Sequence, residues 1–507
     1  MSLALGENAR VNFAREIVDA ASPQRPAVLE LARDGGRREW SFGELSERSA
    51  RFGGHLQRSG VGRGDVVMTL IGNRPEWVLT MIACFRIGAV VLPCTEQLRA
   101  KDLRLRIDVV QPSLIVSDER NRDELQAALA GYAASVTVAY VPDESLFTGE
   151  PATTVELQAD DPCLITFTSG TAGEPKAVLH AQRYLYGQRV QAEHWLGASA
   201  GELVWCTAAS GWSKSARNVF IAPWLSGATA VLHDARFDPE ERLALLERER
   251  VNVLCMAPTE YRVIAKRAEL RTMPELRGMV AAGEALNPEV LRTWLDATGL
   301  EIRDGYGQTE TGQTTGTPLH EQARPGSMGR ALPGIGLTIV DGELTADPAS
   351  VPTFFLGYLG EDVVREQGGA WIVRDRREGA LWHTGDRVTQ DEDGWLYFEG
   401  RGDDVIVSAG YRIGPFEVES ALIAHPAVAE AAAVAAPDEE RGSVVRAVVV
   451  LRDDRYAPSP ELVRELQEHV KRQTAPYKYP RIIDFVAELP KTASGKVKRA
   501  ELRAGAG

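Results

Sequence analysis

The sequence is short of lysine and cysteine, and it has no long apolar run. Nine of its 57 lysine and arginine residues are lysine, so arginine is the usual cation and each lysine merits separate inspection. Five scattered cysteines without a C-x-x-C spacing disfavour a disulfide framework or a zinc site, and they predict reduced core thiols. No stretch reaches the ~18 consecutive apolar residues of a membrane-spanning helix, so no membrane span is expected.

Positive charge is also in deficit. Lys and Arg number 57 against 71 Asp and Glu, and the net charge of -14 disfavours a nucleic-acid partner or an anionic membrane surface. The opening residues MSLALGENARVNFAREIVD contain neither the apolar core of a signal peptide nor an Arg- and Ser-rich leader, so a cytoplasmic location is expected. A chain of 507 residues with 44 % apolar and 25 % charged residues is typical of a globular protein with more than one domain.

Short apolar runs alternate with helical periodicity between residues 40 and 340. The runs DVVMTLIG, SLIVSD, LITFTSG, ATAVLHD and NVLCMAP are bounded by Gly, Pro or Asp, which is typical of buried strands in α/β units. The segment SFGELSERSARFGGHLQ begins with the Ser41/Glu44 spacing of a capping box and predicts a packing helix. The sequence therefore predicts a large N-terminal α/β domain with mixed or parallel sheets covered by helices.

The pattern changes after residue 400. The strand-like runs AEAAAVAA and RAVVVLRD are followed by ELVRELQEHVKRQT, in which Leu462, Leu466 and Val470 have helical spacing. These features predict a small, mobile α+β lobe at the C-terminus. The two glycines and paired acids of GRGDD favour a joint, with an ordinary surface turn as the alternative. The predicted division is a domain over 1–401, a hinge at 402–404 and a lobe over 405–507.

The stretch LITFTSGTAGEPKAVLH, residues 164–180, is the most informative in the chain. A buried-strand run opens into hydroxyl residues, two glycines and one lysine, Lys176. Glycines let backbone N–H groups approach an anion, hydroxyls donate hydrogen bonds and lysine adds a charge, so this loop is suited to holding phosphate. It is not a Walker-type loop, because Pro175 precedes the lysine and Ala177 follows it.

The string Thr168–Lys176 resembles the phosphate loop of the adenylate-forming (AMP-binding) superfamily, which includes acyl-CoA synthetases, luciferases and nonribosomal adenylation domains. Four further strings resemble later motifs of the superfamily, in the same order, and the resemblance spans almost the whole chain. They are DGYGQTETG at 304–312, WHTGD at 382–386, GRGDDVIVSAGYRIGPFEVE at 400–419 and PKTASGKVKR at 490–499. The C-terminal strings HPAVAEAAAVAAPDEERG and TAPYKYPR are most similar to medium-chain acyl-CoA synthetases.

The resemblance implies an ATP-dependent ligase that joins a carboxylic acid to CoA. The substrate carboxylate would attack the α-phosphorus of ATP to give acyl-AMP and pyrophosphate, and the CoA thiol would then displace AMP. ATP, Mg²⁺ and CoA are the implied cofactors, and medium-chain fatty or aromatic acids are the implied substrates. Because a carboxylate is already an anion at neutral pH, no general-base triad is expected.

The resemblance also assigns roles to single residues. Lys496 is the expected catalytic lysine, Thr309 meets the α-phosphate, Glu310 holds Mg²⁺ and Arg412 faces the phosphate or the acyl carboxylate. The expected phosphate loop comprises Thr168, Ser169, Gly170, Thr171, Ala172, Gly173, Glu174, Pro175 and Lys176. The expected ribose and adenine site comprises Gly283, Glu284, Ala285, Asp304, Gly305, Tyr306, Gly307, Gln308, Asp386 and Arg401.

The remaining assignments concern CoA, the hinge and the acyl group. CoA is expected at Gln97, Ala409, Gly410, Tyr411, Arg441, Lys471, Tyr479, Pro480 and Arg481. Asp403 matches the pivot between the lobes. Trp212, Tyr306 and Gly307 are the expected acyl pocket, and acetate-specific relatives have Trp in place of Gly307, so this chain is expected to admit a longer chain or a ring.

Each of these residues has a simpler alternative. Glu310 fits a solvated loop acid, Asp386 a turn residue and Trp212 a core residue. Lys496 fits a solvated basic face, but four of the nine lysines lie between 478 and 498 in a chain that otherwise uses arginine. Ala172 and Ala409 depart from the hydroxyl residues that are frequent at these two places in the family.

Two other functions remain open at this stage. The first is an acyl-AMP ligase that passes its product to a carrier protein, which the CoA-like C-terminal strings disfavour. The second is a pseudoenzyme that only binds acyl groups or nucleotides, which the presence of Lys176, Glu310 and Lys496 disfavours. The residues do not fix the preferred acid or the oligomeric state.

Overall fold

The computed structural model describes residues 9–168, 174–284, 286, 288–366, 370–374, 376–377, 379–402, 404–408, 411–438, 441–492 and 496–504. Strands and helices alternate as far as Ile302–Gly305, antiparallel strands predominate from there to Leu396–Arg401, and a smaller α+β region follows. This architecture confirms the predicted α/β class with a large N-terminal domain and a smaller C-terminal domain.

Seven strands form the first sheet. Their spatial order is Gly357–Tyr358, Ala177–Ala181, Pro162–Phe167, Val90–Cys94, Val66–Leu70, Leu114–Asp118 and Thr137–Val141. The last five run parallel to one another, and the first two pair antiparallel. Every residue of Val66–Leu70 and Val90–Cys94 is buried, as expected of parallel strands covered on both faces.

Seven strands also form the second sheet. Their order is Ile302–Gly305, Gly278–Ala282, Val253–Met256, Leu203–Cys206, Thr229–His233, Pro26–Leu31 and Arg37–Ser41. All are parallel except the last, which pairs antiparallel with Pro26–Leu31. Val67 and Val91 of the first sheet share one hydrophobic cluster with Val204 and Ala230 of the second, so a single core joins the two sheets.

Helices cover both sheets. The N-terminal helices are Phe42–Arg58, Pro75–Ile87, Ala100–Val110, Arg122–Leu129, Gln182–Gln191, Ala222–Leu225, Pro239–Arg248, Pro258–Arg267 and Pro288–Thr298, with π-helical turns at Ala14–Asp19, Ala192–Leu196 and Arg217–Ile221 and 3₁₀ turns at Glu119–Asn121, Glu144–Phe147 and Pro348–Ser350. The predicted capping box is present: the Ser41 hydroxyl accepts from the Glu44 amide at 3.2 Å, and the Glu44 carboxylate accepts from the Ser41 amide at 2.8 Å. Proline at the first turn begins several of these helices, because it lacks the amide that a helix start leaves unpaired.

A third, antiparallel sheet and several short hairpins follow the second parallel sheet. The sheet has the order Leu337–Val340, Glu343–Ala346, Trp382–Gln390 and Leu396–Arg401. The short pairs are Arg10–Val11 with Leu157–Gln158, Gly307–Gln308 with Gly312–Gln313, Thr315–Gly316 with Arg330–Ala331, and Val363–Arg365 with Trp371–Val373. In the third sheet Asp386 lies directly opposite Arg401, which brings two residues of separate motifs together.

The C-terminal region has its own hydrophobic core. It contains the sheet Val428–Asp438, Gly442–Leu451 and Ile482–Phe485, the hairpin of Ile406–Ser408 and Tyr411–Ile413, the helices Pro415–Ile423, Pro460–Gln473 and Arg499–Ala504, and the 3₁₀ turn Pro476–Lys478. Leu462, Leu466 and Val470 are buried together with Ile406, as their helical spacing predicted. The boundary at 402–404 stays a prediction, and Asp403 lies outside the described residues.

Two further expectations concern reduced core thiols and membrane-spanning helices. Cys84, Cys94, Cys163, Cys206 and Cys255 are all buried thiols without a disulfide. Among the helices of the described ranges, none is long and apolar enough to cross a membrane.

Candidate active site

A cavity of about 1660 Å³ lies at the carboxyl ends of the parallel strands of both sheets. Thr168 follows a strand of the first sheet, and Gly283 and Tyr306 follow strands of the second; all three line the cavity. Ligands of α/β proteins bind at this edge of a sheet, where loops meet and strand ends leave room. The volume exceeds the ~300–1000 Å³ of ordinary small-molecule sites, so several substrates can share it.

The two ends of the predicted phosphate loop meet at this edge. The Lys176 amide donates to the Thr168 hydroxyl at 2.9 Å, and the Thr168 amide donates to the Lys176 carbonyl at 3.0 Å. Thr168, Glu174 and Lys176 line the cavity, whereas residues 169–173 lie outside the described residues. The Lys176 ammonium lies 2.8 Å from Glu361 and 4.6 Å from the centre of the Tyr358 ring, so its charge faces the same edge.

Glu310 lies beside this lysine. Its carboxylate is buried and accepts a hydrogen bond from the Tyr358 hydroxyl at 2.7 Å, and Tyr358 also carries Lys176 on its ring. Burial and the neighbouring Glu310 carboxylate raise the pKa of Tyr358, so this hydroxyl stays a donor at neutral pH. Thr309 and Glu310 both line the cavity. Lys176 and Glu310 thus both contact Tyr358; their expected roles at phosphate and Mg²⁺ stay predictions.

Asp386 is the most strongly organised polar residue of the site. It is 4 % exposed, and its carboxylate accepts hydrogen bonds from the Tyr306 hydroxyl at 2.5 Å and the Gln308 amide at 3.0 Å and pairs with Arg401 at 3.3 Å. Burial raises the pKa of Asp386, and Tyr306, Arg401 and Gln308 oppose this rise. Residues of two other motifs therefore bind the carboxylate of Asp386, which lines the cavity.

Asp304 and Gly305 form the end of the last parallel strand. The Asp304 carboxylate accepts from the Gly305 amide at 2.8 Å, and burial raises the pKa of Asp304 to about 8. A side chain at Gly305 would collide with the Gln313 amide at 2.3 Å and the Trp195 indole nitrogen at 2.8 Å. Gly305 is therefore required by close packing, while Asp304 presents a carboxyl group that is largely protonated at neutral pH.

Lys496 enters the cavity from the C-terminal region. It lines the cavity, and its charge lies within the range of Asp386, Arg401 and Glu284 of the N-terminal domain. Desolvation lowers the pKa of Lys496, and the positive charge of Lys214 lowers it further, against the opposing effects of Glu284 and Asp386. The lysine is therefore not on a solvated basic face, unlike Lys498, which pairs with Glu501 at 2.7 Å on the surface.

Gly283 and Glu284 also line the cavity. The Glu284 carboxylate accepts from the Thr259 hydroxyl at 2.7 Å, and Gly283 has φ +102, a left-handed conformation that favours glycine. The Lys214 ammonium donates to the Ala282 carbonyl at 3.1 Å and lies 3.1 Å from where a Cβ of Gly283 would stand. Ala285 lies outside the described residues.

The residues expected at CoA fall into two groups. Gln97 lines the cavity. In the C-terminal region, Tyr411 is 53 % exposed and stacks on Tyr477 at 4.4 Å, and the Lys471 ammonium lies 4.3 Å from the Tyr479 ring. Arg441, Pro480 and Arg481 likewise lie away from the cavity wall, while Ala409, Gly410 and the side chain of Arg412 are outside the described part of the chain. In this arrangement the two groups are not brought together.

Gly307 is required by close backbone packing, whereas the resemblance implied that it leaves room for the acyl group. It lines the cavity together with Trp212 and Tyr306, but a Cβ at this position would lie 1.9 Å from the Gly312 carbonyl oxygen. The direction of that Cβ is therefore into the partner strand Gly312–Gln313 and not into free space. Close approach of two backbones requires this glycine, so its small size is not in itself a measure of the room left for the acyl group.

Several functional residues were missed from the sequence. The Tyr358 hydroxyl donates to the Glu310 carboxylate, and the Trp382 indole donates to the side-chain amide oxygen of Gln308 at 3.0 Å. Lys214 and Arg217 line the cavity. Lys214 could have been found, because it is one of only nine lysines and lies two residues from Trp212. Arg217 has no such signal, because arginine is common in this chain.

Comparison with known proteins identifies the family. The sequence pattern of the AMP-binding enzyme family matches residues 16–366, and that of its C-terminal domain matches residues 417–496. An uncharacterized acyl-CoA ligase, YtcI, of Bacillus subtilis (strain 168) is 39 % identical over 96 % of this chain and 94 % of its own length. The mitochondrial acyl-coenzyme A synthetase ACSM3 of Mus musculus is 37 % identical over 97 % of this chain and 90 % of its own. The crystal structure of the anthranilate CoA ligase AuaEII in complex with anthranoyl-AMP superposes with a TM-score of 0.87 at 26 % identity, covering 100 % of this chain and 99 % of that one.

The chain therefore belongs to the AMP-binding enzyme family. Within that family it is an AMP-forming acyl-CoA ligase, which joins a small carboxylic acid to CoA through an acyl-AMP intermediate. Enzymes of this kind use ATP, Mg²⁺ and CoA.

Proposed function

We propose that this cavity activates a medium-chain fatty or aromatic carboxylic acid, with Lys496 as the catalytic lysine of the first half-reaction. The observation that carries the proposal is the position of Lys496. It comes from the C-terminal region but lines the cavity of the N-terminal domain, within electrostatic range of Asp386, Arg401 and Glu284. A lysine of the smaller domain beside the buried Asp386 is the arrangement that acyl-AMP formation needs.

The first half-reaction must bring two anions together. The substrate carboxylate attacks the α-phosphorus of ATP in line, pyrophosphate leaves, and no proton has to be removed from the nucleophile because it is already an anion. Lys176 would neutralise the β- and γ-phosphates, and Thr309 would donate to the α-phosphate. Lys496 would bridge the attacking carboxylate and the α-phosphate, where negative charge develops.

The nucleoside would be held by the carboxylate that three motifs converge on. Asp386 would accept hydrogen bonds from the ribose hydroxyls, and Arg401 would hold Asp386 in its ionised form. Tyr306 and Gln308 orient the same carboxylate through the hydrogen bonds described above. Gly283, Glu284, Gly305 and the protonated Asp304 line the wall where the adenine would lie.

Glu310 is suited to holding Mg²⁺. It is a buried carboxylate beside the phosphate lysine, and one of its oxygens already accepts from Tyr358. Within the described ranges no cluster of three or more His, Cys, Asp or Glu residues could hold a metal ion, so further ligands would come from substrate phosphates and water, as is usual for Mg²⁺. When bound, Mg²⁺ supplies charge neutralisation at the phosphates.

The second half-reaction would need a different face of the C-terminal lobe. Tyr411 is exposed and stacked on Tyr477, away from the cavity that Gln97 lines. We infer that the lobe rotates about a hinge at 402–404, withdrawing Lys496 and bringing the Ala409–Tyr411 segment and its neighbours to the path of the CoA thiol. The thiol then attacks the acyl carbon, and AMP leaves with the electron pair of the mixed anhydride bond.

The substitution Lys496→Ala tests the role of the lysine. We expect acyl-AMP formation to fall by about 10²–10³-fold or more, because a charge contact at the developing anion is lost, while CoA attack on supplied acyl-AMP is largely retained. The two half-reactions are measured separately, by pyrophosphate release and by thioester formation.

Lys498→Ala is the matched control, because Lys498 lies two residues away but pairs with Glu501 outside the cavity. It should leave both rates unchanged. An equal loss of both half-reactions in Lys496→Ala would make this lysine a residue of folding or CoA binding instead.

A substrate panel tests the overall reaction. Pyrophosphate release is measured with C2 to C14 acids and aromatic acids, with and without CoA, and the products are identified as AMP and acyl-CoA. Acyl-AMP that accumulates equally with and without CoA would support transfer to a carrier protein instead. No pyrophosphate with any acid would support a pseudoenzyme.

We also propose a cytoplasmic location. The five cysteine thiols are buried and form no disulfide, which suits a reducing compartment. Cell fractionation tests the proposal, and recovery of the protein with the periplasmic or membrane fraction would contradict it.

A further inference from the structure

One buried arginine of the cavity has no carboxylate partner. Arg217 is 4 % exposed, begins the π-helical turn Arg217–Ile221 and lines the cavity. Its Nε and Nη1 atoms are buried and donate to no partner among the described residues; the side chain shares a hydrogen bond with Tyr184, but no ion pair of Arg217 occurs in this part of the chain. A buried guanidinium is costly unless an anion compensates it, so this position calls for one.

Three of the four other buried arginines in the described part of the chain have such partners. Arg86 pairs with Asp19 at 2.7 Å, Arg183 with Asp160 at 2.6 Å and Arg242 with Glu260 at 3.2 Å. All three are buried to a similar degree. The fourth, Arg106, is 8 % exposed, donates to the Asp102 backbone carbonyl at 2.8 Å and lies over the Phe167 ring, away from the cavity. Among these buried arginines, Arg217 is therefore the one that lines the cavity without a carboxylate in the described ranges.

The surroundings of Arg217 are cationic and polar. Lys214, three residues earlier, also lines the cavity and donates to a backbone carbonyl, without an ion pair in the part of the chain that the structure describes. Asn218, the next residue, is 1 % exposed, and neither atom of its amide has a partner there. It lines an adjoining cavity of about 20 Å³, which is room for one water molecule.

The position of Arg217 indicates the acyl side of the cavity. Its Nη1 lies 3.5 Å from where a Cβ of Gly312 would stand, and Gly312 pairs with the strand of Gly307 and Gln308. Trp212 and Lys214 lie on the same short segment. The nucleotide-facing groups, Asp386 and Arg401, are already paired with each other, so Arg217 is available to a different part of the substrates.

We propose that Arg217 binds a second acidic group on the acyl part of the substrate, so that the preferred acid is a dicarboxylic acid. The inference rests on the proposed function of the cavity and narrows its substrate class. One carboxylate reacts at Lys496, and the other pairs with the Arg217 guanidinium, whose planar donors match a carboxylate. An acid that ends in a methyl group would leave the buried charge uncompensated, and the site would select against it.

Matched substrates of equal length test the inference. Pyrophosphate release is measured with hexanoate, adipate and monomethyl adipate, and with benzoate, isophthalate and monomethyl isophthalate. The native enzyme should prefer a dicarboxylate over its monoester by roughly 10- to 100-fold in kcat/KM, the range of one charged hydrogen-bonded contact. The monoester has the length of the diacid but not its second charge, so the ratio isolates that charge.

Variants assign the preference to one residue. Arg217→Gln should reduce the ratio of diacid to monoester to about one, and Arg217→Lys should keep part of it. Arg86→Gln is the control, because Arg86 is equally buried but does not line the cavity; it should leave the ratio unchanged. Adipate or isophthalate should raise the melting temperature of the native protein and not that of Arg217→Gln.

The possible outcomes separate the two proposals. Hexanoate, benzoate or the monoesters used as well as or better than the diacids by the native enzyme would overturn the inference and leave the acyl-CoA ligase intact. A diacid preference that persists in Arg217→Gln would overturn the assignment to Arg217. Absence of AMP and pyrophosphate with every acid would count against the proposed function itself. If Arg217→Gln does not fold, the native ratios and Arg217→Lys decide.

Discussion

At the scale of single residues, the charges next to Lys496 determine its protonation. Lys496 and Lys214 are both cations of the cavity wall, and two like charges at close range disfavour each other's charged form. Glu284 and Asp386 act in the opposite direction, but the pKa of Lys496 remains lowered because its ammonium is removed from water. If Lys496 must be protonated, the rate of acyl-AMP formation should therefore begin to fall at a lower pH than the ordinary pKa of a lysine would give.

Replacing Lys214 tests this electrostatic coupling. Lys214→Met removes a positive charge that lowers the pKa of Lys496, so Lys496 should stay protonated to higher pH. We expect the alkaline limb of kcat/KM for acyl-AMP formation to move to higher pH, whatever the change in absolute rate. The measurement is a pH–rate profile by pyrophosphate release. Lys498→Met should leave the limb in place, and a limb that moves to lower pH in Lys214→Met would contradict the coupling.

The residue scale also marks where sequence reasoning stops. Lys176, Glu310, Asp386 and Lys496 stand in strings that carry their own chemical signal, and all four line the cavity. Arg217 is one arginine among 48, and only the fold distinguishes it from Arg86, which has a carboxylate partner. A missing partner is a property of three-dimensional packing and leaves no trace in local spacing.

At the scale of elements, the strand ends and hairpins bring the motifs together. The apolar runs predicted the central parallel strands, since VVMTL and LIVSD are buried on both faces. The pairing of Trp382–Gln390 with Leu396–Arg401, which sets Asp386 opposite Arg401, could not be predicted in this way. Register depends on which hairpin forms, and short polar strands carry little hydrophobic pattern to specify it.

The hairpin at Gly307 gives a prediction at this scale. Gly307→Ala would add a Cβ 1.9 Å from the Gly312 carbonyl oxygen, so the strands Gly307–Gln308 and Gly312–Gln313 must separate. Because Gln308 holds Asp386, we expect acyl-AMP formation to fall by at least about tenfold with every acid, without a change in chain-length preference. The measurement is the substrate panel described above.

Gly62→Ala is the control for that variant, because only the end of the Asp65 side chain approaches its Cβ, at 3.7 Å. It should leave the panel unchanged. If Gly307→Ala instead lost long acids and kept acetate, glycine at 307 would be a determinant of pocket size after all.

At the scale of the whole molecule, two domains share one cavity but present only one set of residues to it. Lys496 is in the cavity while Tyr411 is outside it. A cross-domain hydrogen bond from the Lys266 ammonium to the Ala429 carbonyl, at 3.2 Å, accompanies this arrangement. This arrangement suits the proposed first half-reaction, and the second, as proposed, would need the small domain to move.

Restricting the hinge tests the proposed rotation. Asp403→Pro fixes φ near −65° and removes an amide donor, which should limit rotation without altering either face of the lobe. We expect near-normal acyl-AMP formation and strongly reduced thioester formation from supplied acyl-AMP. Stopped assays of the two half-reactions measure this. A native rate of thioester formation in Asp403→Pro would exclude Asp403 as the pivot.

The burial of Lys496 would also make the proposed movement of the small domain a proton-linked equilibrium. Inside the cavity its ammonium has a lowered pKa, whereas withdrawal into water returns it to the ordinary affinity of a lysine for protons. The withdrawn state therefore binds more protons, and domain movement takes up protons from an alkaline buffer. Rising pH should favour the docked state, so the resting population of the two states can be shifted by alkali alone, before any substrate is bound.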